Sequence, residues 1–234
     1  MIGFLRKMRS PKRPPRPDGE VRLRPRDCHS HVIPGVDDGS RSFEESLQML
    51  RMLSEAGAKH VIATPHIFPG RYPNERETVS PPFEKLVRLA ADAGLALSLE
   101  LGAEHYLDDT LADRVGAGRA IAFGPERYLL FETPTGPTQP IGLFEVVQTM
   151  TEAGYTPLLA HVERYQWLRD EVGQEILEDL RCAGVRFQVN RTRQQTRTGK
   201  SSSRGRFIAR LQSRGWVDEV GSDLHRATPD GRPT

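Results

Sequence analysis

A chain of 234 residues with 27% charged residues and a mean hydropathy of −0.53 carries no apolar run of the length a membrane span needs. Two cysteines, Cys28 and Cys182, exclude a disulfide framework and fit neither a CxxC nor a zinc-finger spacing, so a reducing, cytoplasmic setting is expected. The formal charge of +2 hides an asymmetry: residues 1–26 hold nine Lys/Arg against two acids and residues 191–214 hold eight against none, so the rest of the chain is acidic, as suits a cation-binding core.

The opening, Met1 to Leu5 followed at once by Arg6, Lys7, Arg9, Lys12 and Arg13, has no h-region and no small-residue cleavage site, which excludes a signal peptide. Residues 1–25 read as a basic Pro/Arg-rich arm, because proline removes helix donors and like charges repel, and residues 26–234 as one domain. A short strand ending near His29 comes first. Ser42-Phe43-Glu44-Glu45 then fits a capping box, followed by a helix whose stripe is Phe43, Leu47, Leu50 and Leu53 and which closes at Gly57. Val61 to Thr64 is a buried strand ending at His66. A second helix is expected to start at Ser80 with Pro81 in its first turn and to end at Gly94. A strand from Leu95 to Leu101 follows, with Glu104 just past it.

Three further units repeat the scheme: Tyr128 to Phe131 delivers Glu132, Thr156 to Ala160 delivers His161, and Val217 to Val220 leads to Asp223 and His225. A strand from Val185 to Val189, after a helix around Ile176 and Leu180, supplies Asn190. The basic run from Arg191 to Arg206 has a loop-like composition. About seven strand–helix alternations imply an α/β fold with a parallel sheet and helical crossovers. Polar residues at successive strand ends favour a closed barrel with its site on one face over an open doubly wound sheet.

The polar residues at those ends are metal-ligand types. In His29-Ser30-His31 the period of two in a strand puts both imidazoles on one face, where they can chelate an ion; a chance surface pair is the alternative. His66 taken alone fits a hydrogen-bonded core histidine as well as a ligand. Glu104 and Glu132 end strands too apolar for an unpaired charge, so each must be paired, protonated or bound to a cation, and metal is the economical partner. His161, Asp223 and His225 complete a set of nitrogen and oxygen donors without thiolate, which points to manganese, with iron or zinc as the other choices, in a hydrolytic role. His60 and His105 fall outside the set. Neither cysteine heads a Cys-x5-Arg loop, so phosphocysteine chemistry is not expected.

The ordered segments "DCHSHVIPGVDDGSRSFEESL", "ATPH", "LGAEHYLDD", "YLLFE", "GYTPLLAHVERY", "FQVN" and "VGSDLHR" resemble the bacterial protein-tyrosine phosphatases of the polymerase and histidinol phosphatase (PHP) superfamily that act on capsule and exopolysaccharide assembly kinases. The resemblance covers Asp27 to about Arg232. It implies a distorted seven-stranded (β/α) barrel and a cluster of up to three ions. His29, His31, Glu104 and Asp223 would surround one, Glu104, Glu132 and His161 a second, and Asp38, His66 and His225 a third. Arg164 matches the arginine that contacts the phosphate, with its surface pairing to Glu163 as the bland alternative. It further implies water activated by metal as the nucleophile and a phosphotyrosine-bearing protein, the tail of a bacterial tyrosine kinase, as partner; relatives are expected to continue with at least one more helix beyond the Ser-Asp-x-His run.

Two other readings remain at this stage. The same cluster would suit a small phosphate monoester such as histidinol phosphate. The basic arm and the basic 191–214 segment would suit a nucleic-acid or membrane-surface binding protein with a vestigial metal site, although stable nucleic-acid binding is not expected. Arg71 and Tyr72, in a Pro/Gly-rich loop after His66, could close over a phosphate or lie in solvent.

Overall fold

The computed structural model describes residues 21–191 and 202–227. The basic arm up to residue 20, most of the expected 191–206 loop and the last seven residues lie outside them. Residues 21–25, grouped with the arm on composition, meet the body: Val21 is buried, and the Pro25 carbonyl accepts from the Lys59 and His60 amides at 2.7 and 2.9 Å.

The order is β1 (Arg26–Asp27), α1 (Phe43–Glu55), β2 (His60–Ala63), β3 (His66–Ile67), α2 (Arg76–Asp92), β4 (Ser98–Leu101), β5 (Glu104–Tyr106), α3 (Leu111–Gly116), β6 (Tyr128–Glu132), α4 (Leu143–Glu152), β7 (Thr156–Leu159), two 3-10 turns (Val162–Arg164 and Gln166–Leu168), α5 (Glu171–Cys182), β8 (Arg186–Asn190), α6 (Ser203–Ser213) and β9 (Glu219–Gly221). Every ladder is parallel, in one sheet ordered β1-β2-β4 and another ordered β3-β5-β6-β7-β8-β9. The strands form a mixed α/β fold in which the parallel sheet curls into a half-barrel.

The strand expected to run from Val61 into His66 breaks in two, β2 and β3, and at the same height a separate short strand, β5, follows the one that ends at Leu101 as expected. Pro65 lacks an N–H and cannot donate to a ladder, so its carbonyl takes the Glu104 amide at 3.0 Å while Thr64 N–H turns to Ser30 O at 2.8 Å. Beside it Gly102 leaves room for Phe123, whose Cδ1 would stand 2.7 Å from an added Cβ. Glu104 therefore opens β5 instead of trailing β4. This shift of a few residues turns it inward.

The expected capping box of α1 forms in displaced form: Ser42 Oγ accepts from Glu45 N–H at 3.2 Å, while the Glu45 carboxylate takes the Arg41 amide at 2.8 Å. The expected cap of α2, Ser80, lies five residues past the observed one. Glu75 caps the helix, its N–H donating to Thr78 Oγ1 at 2.9 Å. Its carboxylate receives a two-pronged clamp from Arg114 at 2.6 and 2.7 Å. That tertiary pair holds the first turn upstream of Pro81 and Pro82, which therefore sit inside the helix. The 203–206 part of the expected basic loop belongs to α6, because Ser202 Oγ accepts from Gly205 N–H at 3.0 Å as its cap and Phe207, Ile208 and Leu211 bury a stripe that the surrounding arginines disguise. Two large apolar clusters, one around Phe131, Leu159 and Phe187 and one around Leu50, Val61 and Leu86, hold helices against sheet.

Candidate metal centre

The chain beyond β1 alternates faces. Cys28 points into a small apolar cluster with Ile62, Phe123 and Leu130, and the Ser30 hydroxyl donates to Ile62 O at 2.8 Å. His29 and His31 face the opposite way, fully buried, with their Nε2 atoms 3.2 Å apart. Glu104, also fully buried, meets them from β5. Its Oε2 lies 3.1 Å from His29 Nε2, 3.5 Å from His31 Nε2 and 3.1 Å from His66 Nδ1, and its Oε1 lies 2.9 Å from His161 Nε2. Glu132, ending β6, approaches His66 Nδ1 at 3.3 Å and His161 Nε2 at 3.7 Å. Asp223 Oδ1 stands 3.5 Å from His29 Nε2 and 3.6 Å from His31 Nε2. Asp38 Oδ1 lies 3.5 Å from the Nε2 atoms of both His66 and His225.

All nine candidate donors thus converge, although they span residues 29 to 225. Three groups have ligand atoms within 4.8 Å of one another: His29, His31 and Glu104; His31, Asp38, His66 and His225; and His66, Glu104 and Glu132. The grouping differs in detail from the expected one. His31 joins the third set, and His66 stands beside Glu104 and Glu132 along with His161.

Two donors sit on strained backbone: His161 has φ of 29° and Asp223 of 51°, the left-handed region that costs a residue with a Cβ. His161 is held there by its N–H to Gln188 Oε1 at 2.6 Å, and Asp223 by its N–H to His29 O at 2.8 Å. Gln188 Oε1 also faces His29 Nδ1 at 3.2 Å, which leaves His29 Nε2 turned to the cluster. Asp37 does the same for His31: its Oδ2 lies 2.8 Å from His31 Nδ1 and takes the His66 N–H at 3.0 Å. Asn190 Nδ2 donates to Asp223 Oδ2 at 2.7 Å. Gly39 and Gly221 allow the close approach, since an added Cβ would lie 2.4 Å from His31 Cβ and His29 Cβ respectively. Asp37, Gln188 and the two glycines escaped the reading of the sequence. A glutamine inside the apolar run of "FQVN" was the available signal.

Charge inside the cluster is balanced by imidazole. Burial pushes the His29 ring down, but the carboxylates of Glu104 and Asp223 outweigh it and raise it to about 9. His31 is driven up despite its burial, chiefly by Asp37. Burial opposes ionisation of Glu104, yet His29 and His66 hold it well below the usual carboxylate range. Glu104 Oε2, Asp38 Oδ1 and Asp223 Oδ1 are buried without a hydrogen-bond partner among the described residues. Orphaned carboxylate oxygens aimed at imidazole nitrogens, with no thiolate among them, are what a divalent cation of the manganese, iron or zinc type would satisfy.

Over the cluster opens a cavity of about 360 Å³, walled by Phe68, Arg71, Tyr72, Tyr106, Pro134 and Arg164. Arg164 Nη1 pairs with Asp223 Oδ2 at 3.2 Å, and its side chain remains 41% exposed. It does not pair with Glu163, which is buried and takes the Asn190 amide at 3.3 Å. Arg71 and Tyr72 line the cavity, Arg71 exposed and Tyr72 half-buried. His60 is half-buried and bonded to Glu100 at 3.0 Å and Ser98 at 2.9 Å. His105 points away from Glu104 to Leu130 O at 3.0 Å, and burial lowers it to about 4. Burial pushes the Cys28 thiol well up, and Cys182 is exposed elsewhere.

The family model for capsular polysaccharide synthesis proteins CpsB/CapC matches residues 26–233. The chain belongs to the CpsB/CapC family. Among relatives, CapC of Staphylococcus aureus is 32% identical over 140 residues, 59% of this chain and only 54% of that protein. The tyrosine-protein phosphatase YwqE of Bacillus subtilis is 27% identical over 201 residues, 85% of this chain and 76% of its own length. A crystal structure from work on YwqE and on CpsB of Streptococcus pneumoniae, described there as unique metal-dependent tyrosine phosphatases, superposes with a TM-score of 0.75. It covers 87% of this chain and 80% of the other at 24% identity, so this CpsB/CapC member shares its fold.

Proposed function

We propose that this chain is a metal-dependent protein-tyrosine phosphatase, acting on a phosphotyrosine-bearing protein such as the tail of a bacterial tyrosine kinase that controls capsule or exopolysaccharide synthesis. The observation that carries the reading is the convergence of nine nitrogen and oxygen donors under a cavity whose lining includes Arg71 and Arg164. His29, His31, Asp38, His66, Glu104, Glu132, His161, Asp223 and His225 would hold up to three ions, manganese first, with iron or zinc as the other choices. Such ions supply Lewis acidity at phosphoryl oxygens and lower the pKa of water.

The chain's own residues supply the rest. Glu104, between four imidazoles, keeps the donors together. Arg164 presents a planar fork to two phosphoryl oxygens and offsets charge developing in the transition state, with Asp223 holding it in place. A thiol nucleophile is disfavoured, since the buried Cys28 is held protonated and Cys182 lies away from the cavity. Cytoplasmic location suits a kinase-tail substrate and two free cysteines.

The fold we infer in full is a distorted seven-stranded barrel of PHP type. Counting β2 with β3 and β4 with β5 as single bent strands gives seven, and the hydrogen bonds Cys28 N to Val220 O at 3.3 Å and His31 N to Leu224 O at 3.0 Å support closure between β1 and β9. Hydrolysis of a phosphotyrosyl peptide by the manganese-loaded chain, lost in His161→Ala, tests the function. Turnover equal in mutant and parent would overturn it.

A further inference from the structure

On the phosphatase reading the donor cluster would take the phosphate of any ester, so discrimination among esters has to come from the cavity wall. That wall includes three aromatic side chains, Phe68, Tyr72 and Tyr106. Phe68 and Tyr106 are stacked, with ring centroids 4.0 Å apart and planes 14° from parallel. Tyr72 lies parallel to the His66 imidazole at 5.5 Å and 10°, and the Arg71 guanidinium caps the Tyr72 ring at 5.0 Å. Pro134 adds apolar surface beside them.

The wall is built in advance. Phe68-Pro69-Gly70-Arg71-Tyr72 is a tight turn in which Phe68 N–H donates to Tyr72 O at 2.9 Å and Tyr72 N–H to Phe68 O at 2.6 Å. Asn74, almost fully buried, fastens the foot of the turn by donating to both Val36 O and His66 O at 2.8 Å. Tyr106 comes from β5, two residues after Glu104, so the alternation of the strand sets it on the same face as that donor. The aromatic wall and the donor cluster therefore share one rigid frame. Half-buried stacked rings beside an open cavity offer a face for a third ring.

We propose that Phe68 and Tyr106, with Tyr72 beside them, form a slot for the aryl ring of the phosphate ester and thereby select phenolic over aliphatic phosphates. The proposal rests on the phosphatase reading but is tested apart from it, by binding of unreactive phosphonates. An aryl group entering the slot removes apolar surface from water and gains a stacking contact; a methyl group reaches neither.

Calorimetry on the manganese-loaded full chain should show phenylphosphonate binding roughly tenfold tighter than methylphosphonate. Phe68→Ala and Tyr106→Ala should bring that ratio to within about twofold while methylphosphonate affinity and metal content stay unchanged, and Tyr106→Phe should keep the ratio. Phe68→Leu, which preserves apolar bulk, serves where Phe68→Ala does not fold and should lose part of the preference. A parent that binds the two phosphonates equally, or binds neither, overturns the slot, as does an unchanged ratio in folded Phe68→Ala and Tyr106→Ala. Collapse of the ratio without phosphotyrosine turnover would leave the slot standing and remove the phosphatase reading.

Discussion

The two ends of β9 bury carboxylates by different means. At its start Glu219 is met by the Arg26 guanidinium, which also reaches Glu126 at 3.6 Å, and the neighbouring Asp218 is paired with Arg181. Past its end Asp223 joins Glu104, Glu132 and Asp38 in a cluster where imidazoles replace guanidinium groups, except for Arg164 at the rim. Arginine neutralises an acid permanently, because it does not lose its proton. Imidazole can release its proton to solvent and bind a cation in its place. The first end is therefore finished as it stands, whereas the second has buried oxygens left over for a ligand.

Substitutions at the two ends should separate activity from stability. Glu104→Gln removes the carboxylate shared by His29, His66 and His161, so metal content should fall and kcat/KM should drop by on the order of 10³-fold. Retained metal and rate would mean that the cluster is structural. Arg164→Ala should lower kcat/KM by about 10²-fold with metal content unchanged, if Arg164 acts on phosphate as proposed and holds no ion. Asp37→Asn should loosen His31 and weaken metal affinity by about 10–100-fold in competition with a chelator, with a smaller effect on rate at saturating metal. At the other end, Arg26→Gln should leave kcat/KM unchanged and lower stability by about 1–3 kcal/mol, read from denaturant unfolding.

The pH response should split in the same way. His29 is raised from 6.5 to about 9, so in the metal-free chain its bound proton contributes stability that is complete below pH 6.5 and lost as pH climbs to about 9. Metal displaces that proton, and the loaded chain should hold its Tm or gain over the same range. Parallel losses in both forms would show that the cluster takes no metal.

Most of the candidate donors were legible in the sequence because they end or follow an apolar strand, and a polar residue at a fixed place after Leu-Leu-Phe or Pro-Leu-Leu-Ala stands out; Asp38, in the loop between β1 and α1, came only from the family resemblance. The aliphatic stripe of α1 was legible for the same reason. The start of α2 was not, because Pro81 looks like a first-turn residue until Arg114, some forty residues away, is known to clamp Glu75. α6 was hidden by its arginines. Asp37 and Gln188 face ring nitrogens of His31 and His29, and nothing in their local sequence shows which nitrogen they meet. The aromatic wall was visible only as Arg71 and Tyr72 in a loop, since Tyr106 reaches Phe68 through the β3–β5 ladder.

Elemental analysis of the purified chain, paired with phosphotyrosyl-peptide hydrolysis before and after exhaustive dialysis against EDTA, tests the central claim most directly. The account predicts more than one divalent ion per chain, loss of turnover together with the metal, and recovery on adding Mn²⁺. Full turnover from a chain stripped of metal would contradict it.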